Sequence, residues 1–190
     1  MRTPTLWQIN MVPWYVLMIY WGISSLRLKQ TRVREPFESR AAHVSLLVLA
    51  VVMIFTDRLR IGVLAAGFVR EDVWIQYAAI CITCMGAAIA IWARSILGRN
   101  WSARVEVKVD HQLIRTGPYA LVRHPIYTGL LLAASGTALF IGEWRGVLGV
   151  ALATVGFSLK ANREESLMSS EFGERYQEYR RKTGFLVPRF

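Results

Sequence analysis

The chain has 190 residues, of which 54% are hydrophobic and 19% are charged, and its formal net charge is +10. This length corresponds to one domain, and an average soluble domain has about 25% charged residues. A soluble globular protein is disfavoured, because too little polar surface is left to cover the apolar residues of such a chain.

Five long stretches of the sequence contain no charged residue. They are residues 3–26, 41–56, 73–93, 125–142 and 146–159. A transmembrane helix needs about 20 apolar residues, with roughly 17 as the lower bound. The first and third stretches reach this length alone, and the others reach it with flanking residues or snorkelling Lys and Arg side chains. The sequence therefore predicts an all-α integral membrane protein with about five transmembrane helices.

The basic residues are distributed unevenly between these stretches. Of the 23 Lys and Arg residues, 18 lie in residues 27–40, in residues 94–123 and in the tail that begins at Lys160. Assigning these segments to the cytoplasm satisfies the positive-inside rule, with the N-terminus outside and the C-terminus inside. The basic face is then expected to attract anionic membrane lipids, and this distribution argues against a nucleic-acid partner.

The N-terminal half, residues 1–97, is predicted to supply the first three spans of a single membrane-embedded domain. Cys81 and Cys84 lie within the third stretch, and no nearby His or further Cys completes a zinc site. No metal is therefore expected. Residues 98–190 contain most of the remaining polar residues and are predicted to be the functional half.

A polar cytoplasmic loop, residues 98–123, precedes the fourth span. Its residues 105–109 alternate between Val and charged residues, which predicts an extended piece too short to found a sheet. The fourth and fifth spans form a hairpin around residues 142–146. Each has a stripe of small residues that allows close helix contact, and these stripes contain Gly129, Gly136, Gly149 and Gly156.

The tail, from Lys160 to about Lys182, has apolar residues at helical spacing and predicts a cytoplasmic amphipathic helix. Gly173 interrupts this pattern and favours a division into two shorter helices. The last residues, 185–190, are mostly apolar and are expected to cap another part of the molecule.

Ionisable and hydroxyl-bearing residues gather in residues 119–127 and 160–165. These segments lie at opposite ends of the predicted hairpin, so they are expected to meet in space. A single Arg or Lys at the end of a span is commonly an interfacial anchor. The combination of cations, two carboxylates, a His and Tyr hydroxyls instead favours a functional site.

The motif Arg123-His124-Pro125-x-Tyr127, followed in the next span by Glu164-Glu165, resembles the signature of the isoprenylcysteine carboxyl methyltransferases and of related membrane phospholipid methyltransferases. Residues 97–102, 111–114, 117–119 and 172–179 also look like this family. The resemblance extends over roughly residues 97–188. It implies that S-adenosylmethionine binds in a cytoplasm-facing pocket between the last two spans, the preceding loop and the tail.

The resemblance also implies which side chains contact this cofactor. They are His111, Gln112, Leu113, Ile114, Tyr119, His124, Pro125, Ile126, Tyr127, Glu164 and Glu165. Members of the family have an Arg shortly before the acidic pair, where this chain has Lys160. Lys lacks the two-pronged fit of Arg to a carboxylate, so this departure bears on the native acceptor. Arg123, Lys160 and Arg163 are the candidate catalytic cations.

The implied reaction is methyl transfer to a lipophilic acceptor, foremost carboxyl O-methylation of an isoprenylcysteine-like substrate. A carboxyl group with a pKa of about 3.5 is already ionised near neutral pH, so that reaction needs alignment and desolvation but no general base. A phospholipid amine or a thiol is the alternative acceptor, and it would require a proton acceptor such as Glu165 or His124. A small transporter or assembly factor is the non-enzymatic alternative. It is disfavoured because the charges lie at one interface and no internal repeat is visible.

Overall fold

The computed structural model describes residues 4–25, 31–34, 37–70, 72–98, 106–108 and 113–189. Its helices are α1 (Pro4–Ser25), α2 (Phe37–Phe55), α3 (Val73–Leu97), α4 (Pro125–Ile141), α5 (Trp144–Phe172) and α6 (Glu174–Lys182). Short 3₁₀ turns occupy Gly62–Ala65 and Gly117–Ala120. The predicted all-α class is confirmed, and each of α1 to α5 covers most of one uncharged stretch. Helix α5 continues without a break through the first part of the predicted tail helix, which therefore does not begin as a separate helix at Lys160.

A small sheet joins the loops on the side of the molecule where α2 begins and α3 ends. Its strands are β1 (Thr31–Arg34) and β2 (Glu106–Lys108), which pair antiparallel with Val33 opposite Val107. The sequence predicted the second strand only as an isolated extended piece. Its partner lies far away in the chain, so local pattern did not reveal the pairing.

Within the described residues, one helix is long and apolar enough by itself to cross a bilayer, namely α3 with 25 residues. Two shorter apolar helices are Arg40–Phe55 and Pro125–Ile141. Large apolar side chains point away from the bundle, among them Met18 with 66% and Trp74 with 76% of its surface exposed. Soluble proteins rarely display contiguous apolar surface of this kind. The number of five spans remains a prediction.

The stripes of small residues in the hairpin contact helices outside the hairpin. In α4, Gly129 and Gly136 lie directly against the α3 backbone, where a Cβ on Gly129 would come within 2.6 Å of Gly86 O. In α5, Gly149 and Gly156 lie against α2. The sequence predicted close helix contacts, and the structure identifies α3 and α2 as the partners. At such contacts the backbones of the two helices approach closely, because glycine has no side chain to separate them.

A buried polar network ties α1 to α3 and α4 in the middle of the bundle. Thr83 donates to Asn10 Oδ1 at 3.0 Å, and Asn10 Nδ2 donates to Thr137 Oγ1 at 3.4 Å. Trp14 Nε1 donates to the same Thr137 hydroxyl at 3.0 Å. Asn10, Thr83 and Thr137 are completely buried. Because these donors have no access to water, the network fixes how α1 is rotated against the other helices.

We expect Thr137→Val to destabilise the protein by about 1–2 kcal/mol, because Asn10 and Trp14 both lose their acceptor while the side-chain shape is kept. Thr154→Val is the matched control, since Thr154 is exposed and bonds only the Val150 carbonyl of its own helix. Detergent-induced unfolding in mixed micelles measures both variants. Equal midpoints for the two variants would show that the network adds nothing to stability.

Candidate active site

The first turn of α4 positions one half of the candidate site. Pro125 occupies the first helical position, where its fixed φ suits a helix start and its missing N–H is not needed. His124 is the N-cap residue, and its ring is buried. Tyr127 lies within the first turn. This local geometry directs the His124 and Tyr127 side chains toward α5.

One face of α5 supplies the other half of the site. Lys160 and Glu164 are four residues apart and therefore lie on the same face, with Glu165 next to them. Tyr127 donates to Glu164 Oε1 at 2.5 Å, and Lys160 Nζ lies 3.9 Å from the same oxygen. The predicted meeting of the two ends of the hairpin is confirmed.

His124 lies between the two carboxylates. Its Nδ1 is 3.5 Å from Glu164 Oε2, and its Nε2 is 3.3 Å from Glu165 Oε1. The Glu165 side chain is 7% exposed and that of Glu164 is 25% exposed. Glu164 is thus the carboxylate that remains accessible to a ligand.

The charges in this cluster shift one another's pKa. Burial by itself lowers the pKa of His124, but its hydrogen bonds to both carboxylates outweigh burial and raise that pKa above 6.5. Burial opposes ionisation of Glu164, yet His124 and Lys160 hold its pKa below 4.5. His124 and Arg123 likewise lower the pKa of Glu165 against the effect of burial. The cluster therefore favours two carboxylates around an imidazolium.

Arg123 connects this cluster to the C-terminal tail. Its Nε donates to Glu165 Oε1 at 2.6 Å, and its Nη1 donates to the carbonyls of Thr183 at 2.5 Å and Arg180 at 3.2 Å. Arg180 Nε lies 3.3 Å from Glu165 Oε2. Arg123 is therefore committed to protein groups and fixes α6 against α5.

The tail beyond α6 packs over the start of α4. Backbone N–H groups of Arg123 and His124 donate to the carbonyls of Gly184 and Phe185, at 2.9 and 3.3 Å. The Phe185 ring meets the His124 ring edge to face, with centroids 5.2 Å apart. The tail thus covers His124, in agreement with the predicted cap.

Aromatic rings line the site beside the charges. His124 and Tyr127 stack with centroids 5.6 Å apart and an interplanar angle of 5°, and Tyr127 stacks on Phe157 at 4.9 Å. Lys160 Nζ lies 5.3 Å from the centroid of the Tyr127 ring. These contacts fix the Tyr127 ring and, with it, the hydroxyl that donates to Glu164.

The other predicted site residues differ in burial and in whether they reach the charged cluster. Tyr119 and Ile126 are buried in a hydrophobic cluster that Ile114 also contacts, and this cluster includes Ala93 of α3. Leu113 is half-buried and Pro125 is buried, whereas Arg163 is exposed on α5. His111 and Gln112 lie outside the described residues. Of the three candidate catalytic cations, the structure brings Arg123 and Lys160 into the cluster.

Two contributors were missed from the sequence. Phe157 lies three residues before Lys160 and therefore on the same face of α5. Helical periodicity could have identified it from the sequence. Arg180 reaches Glu165 only because α6 folds back after Gly173, whose φ of 52° breaks the helix. No local signal indicates that return.

The pKa shifts predict a stability maximum between pH 4.5 and pH 6.5. Glu164 and Glu165 have lowered pKa values, so their contribution is present above 4.5 and is lost as the pH falls through the lowered values. His124 has a raised pKa, so its contribution is present below 6.5 and is lost as the pH rises through the raised value. All three residues lie outside the uncharged stretches.

Melting temperature measured against pH in detergent tests this prediction. The His124→Gln variant is expected to remain folded. Its melting temperature is expected to fall less steeply than that of the wild type as the pH rises above 6.5. A melting temperature that stays constant or rises from pH 6.5 upward in the wild type contradicts the arrangement.

Most of the charged cluster lies within a segment of the chain that matches a known protein family. The family model described as the isoprenylcysteine carboxyl methyltransferase (ICMT) family matches residues 78–170. This range includes α4, its preceding motif and the acidic pair of α5. This part of the chain is similar to the isoprenylcysteine carboxyl methyltransferase family.

Individual relatives in this family cover part of the chain. The protein-S-isoprenylcysteine O-methyltransferase of Schizosaccharomyces pombe is 34% identical over 116 residues, which are 60% of this chain and 49% of that protein. The corresponding protein of Tribolium castaneum is 29% identical over 122 residues, with 63% and 43% covered. The chain therefore spans slightly less than half the length of these curated relatives.

The fold of this chain is also found in a solved structure. The eukaryotic intramembrane Ras methyltransferase ICMT matches with a TM-score of 0.58 at 22% identity, and the match covers 95% of this chain and 67% of that one. The likeness extends through the N-terminal helices, for which the sequence resemblance offered only hydropathy. The chain thus shares the fold of this intramembrane methyltransferase.

Proposed function

We propose that this chain is a membrane methyltransferase that uses S-adenosylmethionine to methylate the carboxyl group of a lipophilic, isoprenylcysteine-like acceptor. The observation that supports this most strongly is the convergence of His124, Tyr127, Lys160 and the two carboxylates in one cluster. These are the residues to which the family resemblance assigns cofactor and substrate contacts.

The chemistry of the cluster fits S-adenosylmethionine. This cofactor has an ammonium, a sulfonium, a carboxylate and a ribose diol. Glu164 retains one quarter of its side-chain surface and is suited to accept hydrogen bonds from the ammonium or the diol. Tyr127 and His124 hold Glu164 in position. When bound, the cofactor supplies an electrophilic methyl group.

The remaining residues of the implied set are proposed to line the same pocket. Ile114, Tyr119 and Ile126 provide its apolar part, and His111 to Leu113 are assigned to it by resemblance alone. Glu165 is proposed to act mainly by holding His124 and Arg123. Arg123 in turn is a positioning residue, because its guanidinium contacts Glu165 and the α6 carbonyls.

Lys160 is the cation that we assign to the acceptor carboxylate. It is buried, it lies in the cluster next to Glu164, and its ammonium faces the Tyr127 ring. A positive group there aligns and desolvates an acceptor that is already ionised, so no proton has to be removed. Arg163 is exposed and is therefore a weaker candidate for this role.

The proposed orientation places the N-terminus outside and the cluster, the tail and the basic loops in the cytoplasm. The five spans lie within α1 to α5, and the fifth covers residues 146–159 of α5. Residues 98–190 form the cofactor-binding half of one domain. Residues 1–97 supply spans and part of the pocket wall, since Ala93 of α3 belongs to the cluster around Tyr119. The acceptor's lipid portion then enters from the bilayer between helices.

The reaction is tested by incubating the purified protein with methyl-labelled S-adenosylmethionine and an S-farnesylcysteine analogue. A carboxyl methyl ester releases the label as methanol in alkali, whereas N-methyl and S-methyl products do not. Alkali-labile label supports the proposal. Label found only on a phospholipid amine or a thiol identifies the alternative acceptor. A folded protein that transfers no label to any of these acceptors contradicts methyl transfer.

We expect Lys160→Met to lower kcat/KM for the prenylated acceptor at least about tenfold, since a charge-assisted hydrogen bond is worth roughly 1.5–3 kcal/mol. Lys160→Arg is expected to recover most of this loss. Lys182→Met is the control, because Lys182 is exposed and pairs with Glu178 on α6. An unchanged kcat/KM in Lys160→Met would remove Lys160 from the acceptor site.

A further inference from the structure

An open groove of about 590 Å³ lies between α6 and the C-terminal tail. Its lining includes Arg123, Arg180, Arg181 and Arg189, together with Gln177, and no carboxylate among the described residues lines it. Arg123 and Arg180 both pair with Glu165, so the positive charge of the groove comes mainly from Arg181 and Arg189. Such a surface selects an anionic ligand.

The groove is built on a fixed frame. Arg123 Nη1 donates to the carbonyls of Arg180 and Thr183, which neutralises the negative C-terminal end of α6 and holds the floor in place. The guanidinium groups of Arg181 and Arg189 are exposed at the rim. Arg181 makes no side-chain hydrogen bond or ion pair within the part of the chain that the structure describes. The rim is therefore available to a ligand without breaking an internal pair.

The groove lies at the level where a membrane-spanning helix begins. Thr128, in the first turn of α4, donates to the Leu186 carbonyl at 2.7 Å. The next residue of the tail, Val187, also lines the groove and has 71% of its surface exposed. An exposed apolar side chain beside a cluster of arginines is typical of a protein surface at the boundary between headgroups and acyl chains.

We propose that this groove binds the phosphate of an anionic phospholipid from the leaflet that faces α6. Arg181 and Arg189 bind the phosphate oxygens, Gln177 donates to the headgroup, and Val187 contacts the start of the acyl chains. This inference does not depend on methyl transfer, because it requires only that α4 crosses a bilayer. The ligand is held apart from the cofactor pocket by Arg123 and Arg180, which separate the groove from Glu165.

Isothermal titration of the full chain in a nonionic detergent tests this site. The probes are dioctanoyl phosphatidylglycerol, dioctanoyl phosphatidylcholine with the same tails, and inorganic phosphate. We expect saturable binding of phosphatidylglycerol at least about tenfold tighter than that of the other two. Equal affinity for the two lipids overturns the proposal. If inorganic phosphate binds as tightly as phosphatidylglycerol, the ligand is free phosphate and the lipid proposal is refuted.

Paired variants locate the site. Arg181→Gln with Arg189→Gln is expected to weaken phosphatidylglycerol binding at least about tenfold. Arg175→Gln with Lys182→Gln removes the same charge from exposed positions of α6 outside the groove and is expected to change affinity less than about twofold. Equal losses in both pairs would show diffuse attraction to the basic face and refute a defined site. The lipid comparison on the wild type decides the question even where a variant misfolds.

Discussion

Glu164→Gln is expected to lower the affinity for S-adenosylhomocysteine at least about tenfold, because a charge-assisted hydrogen bond of roughly 1.5–3 kcal/mol to the ligand depends on this carboxylate. The substitution keeps the side-chain volume and removes the charge. It also weakens the 2.5 Å bond from Tyr127, whose acceptor becomes a neutral amide oxygen, and removes one ion-pair partner of His124. The loss therefore combines weaker direct contact with poorer positioning.

His124→Ala is expected to abolish measurable binding of S-adenosylhomocysteine for a related reason. Without the imidazole, Glu164 and Glu165 lose the group that lies between them, and the two carboxylates repel each other. The stacked partner of Tyr127 is lost as well. The His124→Gln variant keeps one donor and is expected to bind with intermediate affinity.

Calorimetric titration of the detergent-purified protein measures these affinities. Glu171→Gln serves as the control, because Glu171 is an exposed carboxylate on the same helix. Wild-type affinity in Glu164→Gln would show that this carboxylate does not touch the cofactor. A folded wild type that does not bind the ligand at all would refute the proposed cofactor, and the charged cluster would need another assignment.

Gly86→Ala is expected to destabilise the protein by about 3 kcal/mol, the upper end of the range for overpacked cores. A Cβ on Gly86 would lie 2.3 Å from Ala133 N and 2.5 Å from Gly129 O. Both are backbone atoms, so no side chain can move aside and the two helices have to separate. The expected decrease in melting temperature is roughly 6–12 °C for a chain of this size.

Gly22→Ala is the matched control for this substitution. Gly22 lies in the exposed part of α1, where a Cβ meets no atom within 4 Å. Replacing an exposed helical Gly with Ala stabilises a helix by roughly 0.5–1 kcal/mol. Thermal unfolding followed by circular dichroism compares the two variants. A Gly86→Ala variant as stable as Gly22→Ala would mean that α3 and α4 are not in the close contact described.

The separation of α3 from α4 is also expected to reach the candidate site. Ala93 of α3 packs in the same cluster as Tyr119 and Ile126, which flank the His124 motif. In Gly86→Ala, the affinity for S-adenosylhomocysteine is therefore expected to fall together with the melting temperature. Loss of ligand affinity in this variant would show that the α3–α4 contact also positions the candidate site.

The sequence alone determined where the helices lie, because hydrophobic runs and charge clusters are local properties of the chain. It also determined that the Arg123 to Tyr127 motif meets Glu164 and Glu165, because a short hairpin necessarily brings its two open ends together. The break at Gly173 follows from the poor helix propensity of glycine. The site was thus predictable as a set of residues brought to one place.

Only the tertiary structure decided which groups in that place contact each other. The glycine stripes contact α3 and α2, Arg123 is committed to Glu165 and the α6 carbonyls, and Lys160 faces Tyr127. Each of these contacts depends on the rotation of a helix about its axis and on the return path of the tail. Those are set by packing between segments far apart in the chain, and local pattern contains no information about that packing.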